Sequence, residues 1–361
     1  MYASIAREGG ALPLYSFDLQ EARVTQFERL TIDDIARLAK VSRTTASMVL
    51  NGYAERYRIS AATVERVLQV AKDHHFTPSQ SARALRSRRS NTIGLVIPDL
   101  TNSAHAALAQ AMEWQCRERY QYQLVLVTSD ENPVRETEGI AHLVSHQVDG
   151  LIVVPCTAEA KRYEKWTKRL PLVFADRRVE ESAIPFVVTD AVETVAKLVG
   201  ECIERGAREV VYLGGQPELS ASRDRLAGYR QALRAHGLEE QPQWVFERDY
   251  QRESGYALMK SWFATHRRYP EALFAGSITL LEGVLQFMND AHQLAQAPGQ
   301  MMTFDDHNLL DCLPFKIDAI VQDSVQLAEH SLQCVFALLE GESEPESRLV
   351  PARIHYRRVG A

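Results

Sequence analysis

Polar side chains that could hold a small ligand follow the short apolar runs of the chain beyond residue 92. They include carboxylates, hydroxyls and guanidinium groups, at Asp99, Asn102, Cys156, Thr157, Asp176, Arg177, Asp190, Ser277, Asp305, Asp306 and residues 220–225. If the apolar runs are parallel strands, these side chains meet at the carboxyl edge of a sheet, where open α/β folds bind ligands. Each one alone is more often a helix cap or a surface charge, but their shared position favours a binding site.

Catalysis is the first alternative use of such residues. Asp305 and Asp306 beside His307 could bind a metal or act as a general base, and Gly214–Gly215 could form a phosphate-binding turn. The chain lacks the dinucleotide, P-loop, zinc-peptidase and nucleophile-elbow motifs. Its five cysteines are scattered without a C-x-x-C pair, which favours buried, reduced thiols. We therefore expect neither an enzyme, nor a metal site, nor a cofactor.

The elements that must position these residues are short strands alternating with helices. This β-α-β alternation predicts an α/β fold with doubly wound parallel sheets. The strands are predicted at Ile93–Ile97, Leu124–Val127, Leu151–Val154, Leu172–Phe174, Phe186–Val188, Val210–Leu213, Val245–Glu247, Ala272–Phe274, Met301–Phe304 and Ala319–Val321. Two sets of five strands predict a core of two lobes around a cleft.

Three short helices are predicted before this core, each with a capping residue at its start. Thr31 caps a helix that runs to Ala39, Ser42 caps Arg43–Leu50, and Ser60 caps a third helix. The third helix is predicted to bury an apolar stripe made of Val64, Val67, Leu68 and Ala71. Two helices joined by a three-residue turn are typical of an all-α helix-turn-helix head, whose second helix fits the major groove of DNA.

The predicted second helix carries side chains that suit base contacts. Arg43, Thr44, Ser47 and Met48 lack an obvious role in a core, and the Arg43 guanidinium can donate two hydrogen bonds to guanine. A generic three-helix bundle is the alternative interpretation. That alternative does not explain the basic segment that follows.

Residues 78–90 contain four arginines and a short helical pattern with Ala82 and Leu85 three residues apart. So short a helix is unstable alone, but it could fold on DNA with Leu85 wedged between base steps in the minor groove. Residues 28–90 carry 12 lysines and arginines against 6 acidic residues, whereas residues 91–361 carry 27 against 38. The basic head is therefore the part expected to meet phosphate.

The length and composition allow two or three domains without a membrane anchor. The chain has 361 residues, of which 45% are hydrophobic, and no apolar run approaches the roughly 18 residues of a membrane span. The first 27 residues do not resemble a secretory signal and are expected to be either a disordered extension or the result of a start codon assigned too far upstream. We therefore expect a cytoplasmic protein that does not contact membranes.

Three segments resemble the lactose-repressor family of transcription regulators. They are TIDDIARLAKVSRTTASMVLN at residues 31–51, the stretch Pro78–Leu85, and TIGLVIPD at residues 92–99. The resemblance covers nearly everything after residue 28 and looks strongest to the branch that controls sucrose and fructose operons. The likeness to that branch lies in residues 51–60, residues 214–228 and TFDDH at residues 303–307.

The resemblance implies how the head contacts operator DNA. Arg43 and Thr44 would read bases, and Leu85 would be the minor-groove lever. The remaining contacts would come from Thr31, Ile32, Ser42, Thr45, Ser47, Met48, Asn51, Ser60, Thr63 and Ala82. Lys40 departs from a position that is often Gly, which predicts left-handed strain in the turn. Met48 departs from a position that is often Arg, which leaves the base preference there open.

For the core, the resemblance implies a fold like that of periplasmic binding proteins, with crossings between the lobes near Asp190, Gln322 and Glu346. The head would be a helix-turn-helix domain at residues 28–77, followed by a hinge helix and linker at residues 78–91. The first lobe would comprise residues 92–190 with 322–347, and the second lobe residues 191–321 with 348–361.

The resemblance also implies a sugar effector in the cleft. Sugar hydroxyls both donate and accept, so they need a fork of donors beside a carboxylate. Arg225 and Asp305 would supply these groups, and the other predicted contacts are Asp99, Asn102, Thr157, Asp190 and Ser277. The branch implies fructose or a fructose phosphate. Arg177 and Arg223 would either neutralise a phosphate or form ion pairs.

The implied function is a sequence-specific repressor of a sugar operon, released when the effector favours another arrangement of the lobes. A homodimer is expected because one helix-turn-helix unit reads only a half-site. No apolar heptad tail follows the last strand-like stretch, Ala352–Val359, so a tetramer is not expected. A fructose-phosphate-responsive repressor and activator of carbon metabolism is the alternative, and the head disfavours a secreted sugar-binding protein.

Leu85→Ala is expected to lower operator affinity and to leave effector affinity unchanged, because the proposed wedge acts only on bent DNA. Operator titrations and sugar titrations of the same protein measure the two effects. A variant with unchanged operator affinity would show that Leu85 does not act as a wedge.

Overall fold

The computed structural model describes residues 30–76, 89–291 and 297–357 of the chain. They belong to two compact units, a small one with residues 30–76 and a large one with residues 89–357. The predictions for residues 1–27 and for Ala82 and Leu85 lie outside the described residues. Within the described ranges, no helix is long and apolar enough to span a membrane.

The small unit contains the three predicted helices, α1 (Ile32–Leu38), α2 (Arg43–Leu50) and α3 (Ala61–Asp73). Their caps are confirmed. Thr31 forms a capping box with Asp34, and the side chains of Ser42 and Ser60 accept from backbone amides of α2 and α3. The helices pack on a small core that includes Ile35, Ala36, Ala39, Ala46, Val49 and Val67.

Two details of the small unit test the sequence patterns. Lys40 has a φ of +54°, which confirms the left-handed turn predicted between α1 and α2. The predicted burial of Leu68 is wrong, since 49% of this residue is exposed. The core is narrow and receives the face of α3 centred on Val67, so Leu68 lies to the side of that face.

The first lobe of the large unit contains one parallel sheet. Its strands are β1 (Thr92–Ile97), β2 (Gln123–Thr128), β3 (Gly150–Val153), β4 (Leu172–Ala175), β5 (Phe186–Asp190) and β11 (Arg348–Pro351), in the order β11-β5-β4-β3-β1-β2. Its helices are α4 (Ser103–Gln115, extended by a π-helical turn at Cys116–Tyr120), α5 (Pro133–Ser145), α6 (Lys161–Thr167) and α11 (Ser324–Glu340). Apolar clusters pack on both faces of the sheet, as the continuous apolar strands predict.

The second lobe repeats this plan. Its strands are β6 (Val210–Gly214), β7 (Val245–Glu247), β8 (Ala272–Ala275), β9 (Gln300–Phe304), β10 (Ile317–Val321) and β12 (Arg353–His355), in the order β12-β10-β9-β8-β6-β7. Its helices are α7 (Ala191–Glu204), α8 (Ser220–Ala235), α9 (Arg252–His266) and α10 (Ile278–Asp290). Only β12 is antiparallel to its neighbour in the described part of this sheet. The ten strands predicted from the sequence are all present.

The third crossing between the lobes lies later than expected. Residues 348–351, which were expected in the second lobe, form β11 and pair with β5 of the first lobe. Val350 is buried in the core of that lobe, so the chain remains there until Ala352 and enters the second sheet as β12. The expected crossing near Glu346 is therefore wrong.

Helices α9 and α10 approach each other more closely than ordinary side chains allow. A Cβ atom placed on Gly255 would lie 2.0 Å from the carbonyl oxygen of Leu280, and one on Gly283 would lie 2.0 Å from that of Arg252. Both contacts are with backbone atoms, which cannot rotate away. The crossing therefore requires glycine at both positions.

Gly255→Ala is expected to lower the free energy of unfolding by about 1–3 kcal/mol, because the added methyl forces α9 and α10 apart. Urea unfolding of the purified protein measures this change. Ser261→Ala, at an exposed position of the same helix, is the control and should change stability by less than about 0.5 kcal/mol. Unchanged stability of the glycine variant would contradict the close approach.

Candidate ligand-binding cleft and DNA-binding surface

A cavity of about 290 Å³, counting space open to solvent, lies between the two lobes of the large unit. Its lining is rich in charged and hydrogen-bonding groups. The first lobe contributes Asn102, Ala104, His105, Asp176 and Arg177, the second lobe contributes Ala221, Arg225, Tyr250, Ser277 and Asp305, and Gln322 lies at a crossing between them. Residues that follow β1, β4, β8 and β9 thus converge, as expected for the carboxyl ends of parallel strands.

Arg225 of α8 is the most constrained cation of this cavity. Only 6% of the residue is exposed, and its guanidinium lies 3.7 Å from the centre of the Phe304 ring. One Nη donates to the carbonyl oxygen of Gly276 at 2.5 Å. Its Nε is buried without a hydrogen-bond partner among the described residues. A buried donor without a partner is costly, so an acceptor that reached this nitrogen would be stabilised there.

Asp305, which follows β9, is the buried acceptor beside Arg225. One carboxylate oxygen accepts from Nε2 of Gln322 at 2.7 Å, and Gln322 accepts in turn from the hydroxyl of Thr189 on β5. Burial raises the pKa of Asp305, and the charge of Arg225 acts in the opposite direction. Its φ of +71° is a strained value that places the carboxylate at the cavity.

Asp176 is the matching carboxylate of the first lobe and follows β4. Its carboxylate lies 3.8 Å from Nε2 of His105, whose Nδ1 lies 3.2 Å from the carbonyl oxygen of Asp99. Burial by itself would raise the pKa of Asp176, but the interaction with His105 and the charges of Arg177 and Arg225 hold it at about 2. Asp176 is therefore an ionised acceptor.

Tyr250 is a lining residue that the search for polar side chains missed. Its ring packs on Gly215, where any Cβ would lie 2.3 Å from a ring carbon, and its hydroxyl lies 2.8 Å from Oγ of Ser222. The guanidinium groups of Arg177 and Arg225 lie 5.6 and 5.4 Å from the ring centre. An aromatic residue soon after β7 was the only signal in the sequence.

His105 and Gln322 were missed for different reasons. His105 lies within the first turn of α4, where a polar residue is ordinarily a solvated one. Gln322 follows β10 but is uncharged, so its bond to Asp305 could not be read from its residue type. Both become lining residues only because the second lobe lies across from the first.

Of the strand-end residues expected to form the site, Asp176 and Arg177 line the cavity, as do four of the predicted effector contacts, namely Asn102, Arg225, Ser277 and Asp305. Asn102 and Ser277 also cap α4 and α10, so their side chains are held in place by backbone amides. Asp99, Thr157 and Asp190 do not belong to this lining.

Local backbone contacts account for the positions of the three residues outside the lining. The Asp99 carboxylate accepts from the backbone amide and the hydroxyl of Thr101. The Thr157 hydroxyl accepts from the backbone amide of Glu159. Asp190 ends β5 where the chain passes into α7.

The charges around the cavity balance. Arg177 donates to both carboxylate oxygens of Glu131 at 2.7 and 2.9 Å, and Arg223 pairs with Glu180 at 3.2 Å, outside the lining. Arg225 faces two aspartates. Within the part of the chain that the structure describes, both arginines of the lining are therefore matched by nearby carboxylates.

The predicted DNA-contact residues of the small unit form a hydrophilic surface around α2. Arg43 and Thr44 are exposed at the start of α2, and Nε of Arg43 lies 3.5 Å from Asp33. Hydroxyl pairs join Ser42 to Thr45 and Ser60 to Thr63, and Asn51 donates to the carbonyl oxygen of Ser47. Thr31 is exposed, whereas Ile32 and Met48 are half-buried. The described residues contain no cluster of side chains that could hold a metal ion.

Both units match known protein families. Residues 31–79 match the model described as bacterial regulatory proteins, lacI family. Residues 90–330 match the model described as periplasmic binding proteins and sugar binding domain of LacI family.

Individual relatives are similar over about three quarters of the chain or more. The sucrose operon repressor of Klebsiella pneumoniae is 43% identical over 331 residues, which cover 91% of this chain and 98% of that protein. The catabolite repressor/activator of Salmonella typhimurium is 37% identical over 333 residues, covering 92% and 98%. The crystal structure of the Cra transcriptional dual regulator from Pseudomonas putida in complex with fructose 1-phosphate has a TM-score of 0.69 and 29% identity, and covers 74% of this chain and 99% of that one.

Proposed function

The chain belongs to the LacI family of bacterial regulatory proteins, and we propose that it represses a sucrose or fructose utilisation operon until a sugar enters its interlobe cleft. It is a DNA-binding transcription regulator and not an enzyme. The observation that carries the proposal is the buried Arg225 guanidinium, whose Nε lacks a partner among the described residues beside the acceptor Asp305. This pair suits hydroxyls that donate and accept.

The proposed DNA contacts follow from the exposed start of α2. Arg43 forks onto guanine and Thr44 reads a neighbouring base, while the capping hydroxyls of Ser42 and Ser60 position the phosphates. One such head covers a half-site. A homodimer therefore reads a pseudo-palindromic operator.

The balanced charge of the cavity favours an uncharged hexose, for which fructose is the first candidate. Arg177 is held by Glu131 and Arg223 by Glu180, so the two cations considered for phosphate binding already have partners. A fructose phosphate is the second candidate. It is favoured by similarity to the Pseudomonas putida regulator, whose structure is a complex with fructose 1-phosphate.

Release of DNA follows from a shift between two arrangements of the lobes. Sugar contacts both lobes, because the cavity residues come from both. It therefore favours the arrangement in which those residues approach each other. This arrangement binds sugar more tightly and the operator more weakly. Sugar binding therefore lowers the affinity of the protein for its operator, and operator binding lowers its affinity for sugar.

Arg43→Ala is expected to cost about 1–3 kcal/mol of operator affinity and to relax preference at one base pair. Fluorescence anisotropy with the operator, with single-base variants of it and with random duplex measures both effects. Arg86→Ala is the charge-matched comparison and should weaken all duplexes alike. Equal losses on operator and random DNA for Arg43→Ala would disprove the base-reading role.

Arg225→Ala is expected to weaken fructose binding by at least about tenfold, because ligand hydroxyls lose a charged donor in a desolvated cleft and Asp305 loses the nearby positive charge. Operator affinity without sugar should stay nearly unchanged, so the variant represses permanently. Calorimetric titration with fructose and with fructose 1-phosphate measures affinity and identifies the ligand. A lowered melting temperature together with weak operator binding would instead assign Arg225 a structural role, through its bond to Gly276.

A further inference from the structure

A set of ion pairs joins the two lobes outside the cavity. Arg178, in the segment after β4 of the first lobe, donates to both carboxylate oxygens of Asp224 on α8 of the second lobe, at 2.5 and 2.9 Å. The backbone amide of Arg178 also donates to Oγ of Ser220 at 2.9 Å. Three hydrogen bonds therefore cross between the lobes from one residue.

A second pair crosses beside the first. Arg223 of α8 lies 3.2 Å from the carboxylate of Glu180, which also lies 3.7 Å from Arg178. Each lobe thus contributes one cation and one anion. The alternating charges attract only when α8 and the segment after β4 are close together, so these contacts depend on the arrangement of the lobes.

The Arg178–Asp224 pair is more than an ordinary surface contact. The two side chains are 20% and 17% exposed, so water and salt screen them incompletely. The hydrogen bond to Asp224 raises the pKa of Arg178. Bidentate pairs between arginine and a carboxylate are the stronger and more directional kind.

The pair adjoins the cavity without lining it. Arg178 directly follows Arg177, and Asp224 directly precedes Arg225, while neither Arg178 nor Asp224 belongs to the cavity lining. Their bonds therefore fix the two backbone segments that carry lining residues from opposite lobes.

We propose that Arg178 and Asp224 form a latch that holds the lobes in the sugar-binding arrangement and sets the sugar concentration at which the repressor responds. Both are positioning residues, since neither touches the cavity. The effect on sugar rests on the proposed function of the cleft. When a binding-competent arrangement is populated only in part, the apparent affinity falls by that fraction.

The chain contains a matched control for the latch. Arg230 lies on α8 as well and donates to Glu240 at 2.5 and 2.9 Å, the same distances as in the latch. Both residues of that pair belong to the second lobe. Arg230→Gln therefore removes an equally short bidentate pair from the same helix without touching a contact between the lobes.

The first test measures sugar affinity. Asp224→Asn and Arg178→Gln should each weaken fructose binding roughly fivefold, at the low end of usual coupling factors. The double variant should lose no more than either single variant, because one interaction is removed in all three. Arg230→Gln should bind fructose normally.

A second test needs no sugar and so separates failure of the latch from failure of the proposed function. Hydrogen exchange of the Arg178 amide, which is bonded to Ser220, should be faster in Asp224→Asn than in the natural protein and unchanged in Arg230→Gln. If fructose does not bind the natural protein, the proposed effector is wrong and exchange still decides the latch. Unchanged exchange in Asp224→Asn, or equal acceleration in Arg230→Gln, would overturn the latch.

Discussion

The cleft depends on one constraint, which is that charges removed from water must find partners inside the protein. The side chains of Asp176, Arg177, Arg225 and Asp305 are all nearly buried. An unpaired charge in such a place costs several kcal/mol. Each lobe contributes one of the cations and one of the carboxylates, and Asp176 and Arg225 also interact from opposite lobes, so bringing the lobes together adds to the compensation within each lobe. Closure of the lobes therefore also brings together the two halves of the candidate site.

Parallel strands explain why these groups could be found from the sequence at all. Alternating apolar runs and helices predicted the ten strands, and capping residues predicted the three helices of the head. Because ligands bind at the carboxyl ends of such strands, Asn102, Arg225, Ser277 and Asp305 could be predicted as neighbours. The position of the third crossing between the lobes could not be predicted from the sequence. Val350 is an apolar residue that suits either lobe, and only packing places it in the first.

The residues missed by the sequence owe their place to contacts across long separations. Tyr250 lines the cavity because Gly215, on another strand's end, leaves room for its ring. His105 faces Asp176 from a helix that begins after a different strand. Neither residue type nor spacing encodes such contacts. Leu68 in the small unit is a similar case. Helical spacing predicts which face of α3 is apolar, but the width of the core decides how much of that face is buried, and Leu68 is left exposed.

Because the two lobes share one strand order, each contributes an aspartate at the equivalent position of the site, but the partners of the two aspartates differ. Matching the two strand orders makes β4 equivalent to β9, and each is followed directly by an aspartate with positive φ, at +62° for Asp176 and +71° for Asp305. Their partners differ, because His105 adjoins Asp176 whereas the uncharged Gln322 holds Asp305. The pKa of Asp176 is therefore low, while burial raises that of Asp305. Fewer positive charges therefore compensate Asp305 than Asp176, and under the proposed function Asp305 is the carboxylate at which donors from a sugar would be most favourable.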